Sequence, residues 1–209
     1  MNKNVRVFFS KTGRAIYISH LDLYRVFQRA VKRCKLPVWE TQGFNPHIYI
    51  TFALPLVLGT EGVCESLDTK LTEDISFEEI CERLNSALPR DIRVLSAAEP
   101  VFKNTDIEKS EYEVRISTDF DKLKEFFAQE KIITEKKTKK GISEIDLKPM
   151  IEICELSDGF VRMRLPSGTE TNINANLVFD AFEKQYNVEI DLLNIKRTAV
   201  YCKNGENFR

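Results

Sequence analysis

The chain has 209 residues and a mass of 24.2 kDa; 43% of it is hydrophobic and 30% charged. That balance is globular and excludes a disordered chain, and the length suits one large domain or two small ones. The formal net charge is -1, from 31 Lys and Arg against 32 Asp and Glu, so no overall basicity announces a nucleic-acid protein.

The cysteines narrow the classes further. Cys34, Cys64, Cys81, Cys154 and Cys202 stand apart, with no CxxC pair. This excludes a disulfide scaffold, a four-cysteine zinc site and an iron–sulfur cluster within the chain. P-loop and GxGxxG patterns are missing as well, and no metal or cofactor is implied. The N-terminus, Met1 to Arg6, lacks an apolar signal core, and no run of about 18 apolar residues exists. The expectation is a reduced, cytoplasmic protein that does not span a membrane.

In chain order, Val5–Phe9 reads as a strand, and Ser10–Arg14 as a turn with basic residues on both sides of Gly13. Ser19 is a helix cap, followed three residues later by Asp22. From His20 to Cys34, the residues Leu23, Tyr24, Phe27, Ala30, Val31 and Cys34 follow helical spacing, while Arg25, Arg29, Lys32 and Arg33 take the opposite face. Pro37–Glu40 opens a second strand, Gln42–His47 forms a loop, and Ile48–Phe52 continues as a strand. Glu65–Leu71 alternates like a half-buried strand. Phe77–Leu88 is a helix capped by Ser76, and Ile92–Ala97 is a strand.

This β-α-β-β-α-β order is the ferredoxin-like arrangement. After a break at Pro100–Ser110 the order starts again. Tyr112–Ile116 is a strand and Asp121–Gln129 a helix. A lysine-rich hairpin turns at Gly141, Ile151–Leu156 and Phe160–Leu165 are strands, Ala175–Tyr186 is a helix, and Ile190–Val200 holds the last strand. The fold class predicted is α+β, with tandem ferredoxin-like domains over residues 1–103 and 109–209, the second carrying the extra hairpin.

Charge is placed unevenly. Residues 1–60 carry nine Lys and Arg against two acids, a net +7. Residues 61–100 are acidic, with ten acids against four bases. Local fields steer partners where totals do not. The only two histidines, His20 and His47, both lie in the basic quarter. With Tyr17 or a lysine they form a candidate acid–base set for metal-free RNA cleavage, and they equally suit phosphate contact. Lys11, Arg14, Arg25, Arg29, Lys32, Lys139 and Lys140 are candidate phosphate contacts, and Phe44, with Tyr17 a candidate for exposure, is a candidate stacking platform. Glu61, Glu65 and Asp68 read as a charged strand edge rather than a metal site.

Several strings stand together in order: Phe9-Ser10-Lys11-Thr12-Gly13-Arg14, Ile18-Ser19-His20-Leu21-Asp22-Leu23, Leu36-Pro37-Val38 and Gln42-Gly43-Phe44-Asn45-Pro46-His47. Phe52–Leu56, Leu58-Gly59, Lys139-Lys140-Gly141 and Ile145–Pro149 continue the series. Across most of its length the chain resembles the radical SAM-linked protein family, a bacterial domain of unknown function encoded beside, or fused to, a radical SAM protein. The resemblance implies a partner rather than the radical enzyme, since no CxxxCxxC is present, and it carries over no catalytic residue. At the level of fold the pattern is similar to the CRISPR RNA-processing endonucleases of the RAMP superfamily, though without their C-terminal glycine-rich loop.

Three functions follow as expectations. The first is an accessory protein that binds rRNA or tRNA for a radical SAM modification enzyme. The second is a metal-independent endoribonuclease using His20. The third is a protein-interaction module docking through its acidic second quarter or through Lys136–Lys140.

Overall fold

The computed structural model describes residues 3–138, 141–169 and 171–209. It is an α+β protein that divides into two compact units, residues 1–106 with 207–209, and residues 107–206.

In the first unit the chain runs β1 (Lys3–Lys11), a 3-10 turn (Gly13–Tyr17), α1 (His20–Arg33), β2 (Ile50–Phe52), β3 (Glu61–Leu71), α2 (Phe77–Ala87) and β4 (Ile92–Ala98). The strands are antiparallel, in the order β4-β1-β3-β2. Strand side chains alternate between the two faces of the sheet. Val5, Val7 and Phe9 of β1 therefore join Leu67 and Leu71 of β3 under Leu23, Phe27, Ala30 and Val31 of α1 and Ile80 and Leu84 of α2. Both helices cover this face. Asn4 and Arg6 of β1, and their cross-strand partners Lys70 and Asp68 of β3, belong to the opposite one.

Helix starts are built from local chemistry. The Ser19 hydroxyl accepts from the Asp22 amide at 3.1 Å and donates to its carboxylate at 2.7 Å, a reciprocal cap. Ser76 accepts from the Glu79 amide at 3.1 Å. Each cap satisfies one of the free amides of a first helical turn.

Two expectations change here. The strand predicted at Pro37–Glu40 is reduced to isolated bridges, Val38 with Leu71 and Glu40 with Ile48. Pro37 has no amide hydrogen to donate, and Lys35 before it takes φ 52°, so the segment enters the sheet from a turn and pairs only intermittently. Of the β3 carboxylates, Asp68 does not mark a strand edge, because it lies between Arg6 of β1 and Thr51 of β2.

The second unit runs β5 (Ile107–Ser117), α3 (Phe120–Ala128), the hairpin β6 (Ile133–Thr138) and β7 (Gly141–Asp146), β8 (Glu152–Ser157), β9 (Phe160–Pro166), α4 (Ala175–Tyr186) and β10 (Asp191–Cys202). The sheet order is β10-β5-β9-β8, all antiparallel, with β6-β7 a separate two-stranded ribbon. Val114 and Ile116 of β5, Val161, Met163 and Leu165 of β9, and Phe126, Phe179 and Phe182 of the helices fill its core. Asp119 and Asn174 cap α3 and α4. The stretch predicted as a linker is partly regular, with a 3-10 turn at Asn104–Asp106 and β5 starting at Ile107.

Among the described residues, no helix is long and apolar enough to cross a membrane.

Candidate nucleic-acid interface and its histidine corner

Helix α1 carries the cationic stripe that its sequence spacing predicts. Arg25, Arg29 and Lys32 are exposed and lie at i, i+4 and i+7 on one face. Arg25 pairs with Asp22 at 3.0 Å, and Arg33 donates to the Ala87 carbonyl at 3.0 Å. Arg29 and Lys32 make no close ion pair among the described residues, although Arg29 also acts on Asp22 through space. Bonds from Ser19 and Arg25 hold the Asp22 carboxyl below its ordinary range.

The corner at the start of α1 is assembled by short tethers. Gly13 takes φ 52°, and a Cβ there would sit 3.1 Å from the Asp91 carboxyl. The close approach lets Asp91 accept from the Arg14 amide at 3.0 Å, with Thr12 donating to the Asp91 carbonyl at 2.9 Å. The Ile16 carbonyl then accepts from the Gly59 amide at 2.9 Å and from Lys11 Nζ at 3.3 Å, tying the 3-10 turn to the loop before β3. Tyr17 is left 73% exposed, and Leu21 and Leu58 are exposed as well.

His20 sits at the first position of α1 with its ring 5.1 Å from Phe52 in an edge-on contact. Its pKa is lowered, chiefly by partial burial; Glu65 raises it and Lys11 lowers it further. The structure thus gathers three titratable groups from three elements: His20 of α1, Lys11 of β1 and Glu65 of β3. Lys11 is 1% exposed and Glu65 5%. Glu65 folds over Gly62, where a Cβ would fall 2.3 Å from its Oε1, so only glycine leaves that space.

Lys11 is therefore not a surface contact for phosphate. Its side chain points to the helix-covered face, in step with Val7 and Phe9, and is spent on the interior. His47 lies in the exposed loop before β2, with Nδ1 2.9 Å from the Thr41 hydroxyl and 3.3 Å from the Asn45 carbonyl. These local bonds hold its ring within its own loop. Phe44 is fully exposed at the tip of that loop, and Arg14 is exposed. Lys139 and Lys140 lie outside the described residues. Among those described, no three His, Cys, Asp or Glu converge as a metal site.

Sequence reading missed a second charged centre, on the opposite face of the same sheet. Arg6, 1% exposed, grips Asp68 through two bonds of 2.7 and 2.9 Å. Its remaining nitrogen contacts are Asn104 at 3.2 Å and the Arg209 carbonyl at 3.0 Å, with Phe208 stacked at 4.0 Å. Alternation gave no signal for it, since Arg6 and Asp68 take the outward positions of their strands, where a charge is ordinary.

A family model matches residues 4–175, that of an uncharacterised protein conserved in bacteria, DUF2344. The chain belongs to this family. No curated protein matches it. Among solved structures it is similar to an unknown protein from Galdieria sulphuraria, at 15% identity and TM-score 0.31, covering 94% of this chain and 99% of that one. It is also similar to a putative glycine cleavage system transcriptional repressor, at 15% identity and TM-score 0.28, with the same coverage of 94% and 99%.

Proposed function

We propose that this DUF2344 protein is a cytoplasmic accessory protein that binds RNA, rRNA or tRNA, along the outer face of α1 and presents it to a radical SAM modification enzyme. The observation that carries the reading is the Arg25–Arg29–Lys32 stripe, in which Arg29 and Lys32 are exposed and make no close ion pair among the described residues. Cations spaced along one helix face suit the phosphates of an RNA strand, and exposed Tyr17 and Phe44 offer rings for unstacked bases. The radical SAM partner rests on the family resemblance of the N-terminal motifs. The matching strand orders, β4-β1-β3-β2 and β10-β5-β9-β8, support reading the two units as tandem ferredoxin-like domains, with β6-β7 inserted in the second.

The test is RNA binding across a salt series. Each phosphate contact on a single strand contributes about -0.7 to the slope of log affinity against log salt. Three contacts give a slope near -2, which the combined variant Arg25→Gln, Arg29→Gln and Lys32→Gln should flatten. Salt-independent binding, or binding untouched by the triple variant, removes the reading. Co-purification of a radical SAM protein tests the partner.

A second reading is favoured by one observation, a histidine kept neutral near pH 7 at a solvent-facing helix start. Neutral His20 could take the proton of a ribose 2′-hydroxyl as that oxygen attacks the adjacent phosphorus, closing a 2′,3′-cyclic phosphate while the P–O5′ bond breaks and the departing 5′-oxygen takes a proton from water. Incubation with cellular RNA in EDTA decides it: intact RNA, or cleavage that survives His20→Ala, overturns it.

A further inference from the structure

The face of the first sheet away from α1 and α2 is not a plain solvated surface. A groove of about 650 Å³ opens there, within the range of small-molecule sites. Asn4, Arg6, Asp68 and Lys70 line it, together with Lys3, Tyr49 and Lys103. The charges are not equivalent. Asp68 is neutralised by its two-bond pair with Arg6, and Lys3 pairs with Asp74 at 3.3 Å. Lys70 and Lys103 have no carboxylate partner among the described residues, and the remaining acid of the lining is Glu99.

Lys70 is also held in place. Its ammonium lies 5.5 Å from the Trp39 ring and 5.2 Å from the Tyr49 ring, and the two rings pack edge to face at 5.9 Å. Two aromatic faces fix the amine without neutralising it. A fixed amine lining a groove with a second amine, neither with a carboxylate partner among the described residues, is an anion site prepared in advance. A single carboxylate would satisfy one amine. A phosphate, with several oxygens and close to two charges at neutral pH, matches the two amines in charge.

We propose that this groove binds a phosphorylated small molecule, with Lys70 and Lys103 holding its phosphate and Tyr49 forming the wall beside it. The site is independent of the α1 stripe, since it opens on the other face of the sheet.

Trp39 is the only tryptophan of the chain, so its emission reports on Lys70 directly. Pyrophosphate titrated into the full chain should change Trp39 fluorescence saturably, and calorimetry with ADP should give a matching single-site isotherm. Lys70→Gln and Lys103→Gln should each weaken both ligands about tenfold, the loss of one charge-assisted bond. Arg90→Gln, an exposed charge away from the groove, should change neither. Lys103 is exposed, so its variant remains informative if Lys70→Gln disturbs folding. Three results overturn the proposal: no saturable response to either ligand at about 5 mM, a concentration at which even millimolar sites fill; affinities unchanged in both lysine variants; or a Trp39 response to single-stranded RNA alone, which would make the groove part of a nucleic-acid surface.

Discussion

At His20 two buried charges pull in opposite directions. Glu65 favours the imidazolium and Lys11 opposes it, while partial burial, the largest influence, holds the pKa below the ordinary value of 6.5. Glu65→Gln removes the favourable anion, so the His20 pKa should fall further. Lys11→Met removes the opposing cation, so it should rise. Proton NMR titration reads both, with His47 as the only other imidazole to assign; equal values in the two variants would break the proposed coupling. The sign for stability follows from linkage. A histidine with a depressed folded pKa binds protons more readily when unfolded. Its contribution is therefore complete above about pH 6.5 and is lost as the pH falls through that value toward the folded pKa. The acid limb of the melting curve should flatten in His20→Gln. Part of this corner was legible in the sequence. Lys11 keeps step with Val5, Val7 and Phe9, and Glu65 with Leu67, Thr69 and Leu71, so alternation alone puts both charges on the buried face. What alternation cannot reveal is that the two strands bring them under the same histidine, because register is a long-range property.

Among the elements, α1 separates folding from function most cleanly. Its inner face packs Leu23, Phe27, Ala30 and Val31, its start is capped by Ser19, and its outer face carries the arginines. Ser19→Ala removes the acceptor for the Asp22 amide and should cost about 1 kcal/mol of stability. The triple glutamine variant of Arg25, Arg29 and Lys32 alters exposed side chains only, and should move stability by no more than about 0.5 kcal/mol while it weakens RNA binding. A thermal melt set beside the RNA titration distinguishes the two. If both variants lose stability and binding together, α1 acts as scaffold and not as interface. Helices of this kind were readable in advance because cap, period and polar face all lie within about fifteen residues, the range over which local pattern is informative. Pro37–Glu40 was not. Its residue types favour a strand, but the missing amide at Pro37 and the turn at Lys35 limit its pairing to single bridges.

On the scale of the whole molecule, the decisive feature is where the chain returns. The first unit ends at Asp106, and residues 107–206 form the second; Asn207–Arg209 then rejoin the first. Three residues do a large share of local work there. The Arg209 carbonyl accepts from the Val101 and Phe102 amides, each at 3.1 Å, and from Arg6 at 3.0 Å. Phe208, 7% exposed, covers the guanidinium that Asp68 holds. No local pattern in a single aromatic after a polar turn announces this, since its partners are about 100 residues or more away in sequence, and the entropy of closing so long a loop is recovered only by the finished fold. The arrangement leaves Arg6 dependent on Asp68 and Asn104 together with Phe208 and Arg209. Phe208→Ala should cost about 3 kcal/mol, the range for truncating a buried aromatic. Truncation after Glu206 should go further, because it also strips the Arg6 guanidinium of one acceptor and leaves two amides without partners. Hydrogen exchange checks the mechanism apart from the magnitude. The amides of Val101 and Phe102 should lose protection in the truncated chain, while Phe208→Ala, which keeps the Arg209 carbonyl, should retain part of it. Equal protection in all three proteins would mean that Pro100–Phe102 is held by its own neighbours, and that the last residues only rest on a surface complete without them.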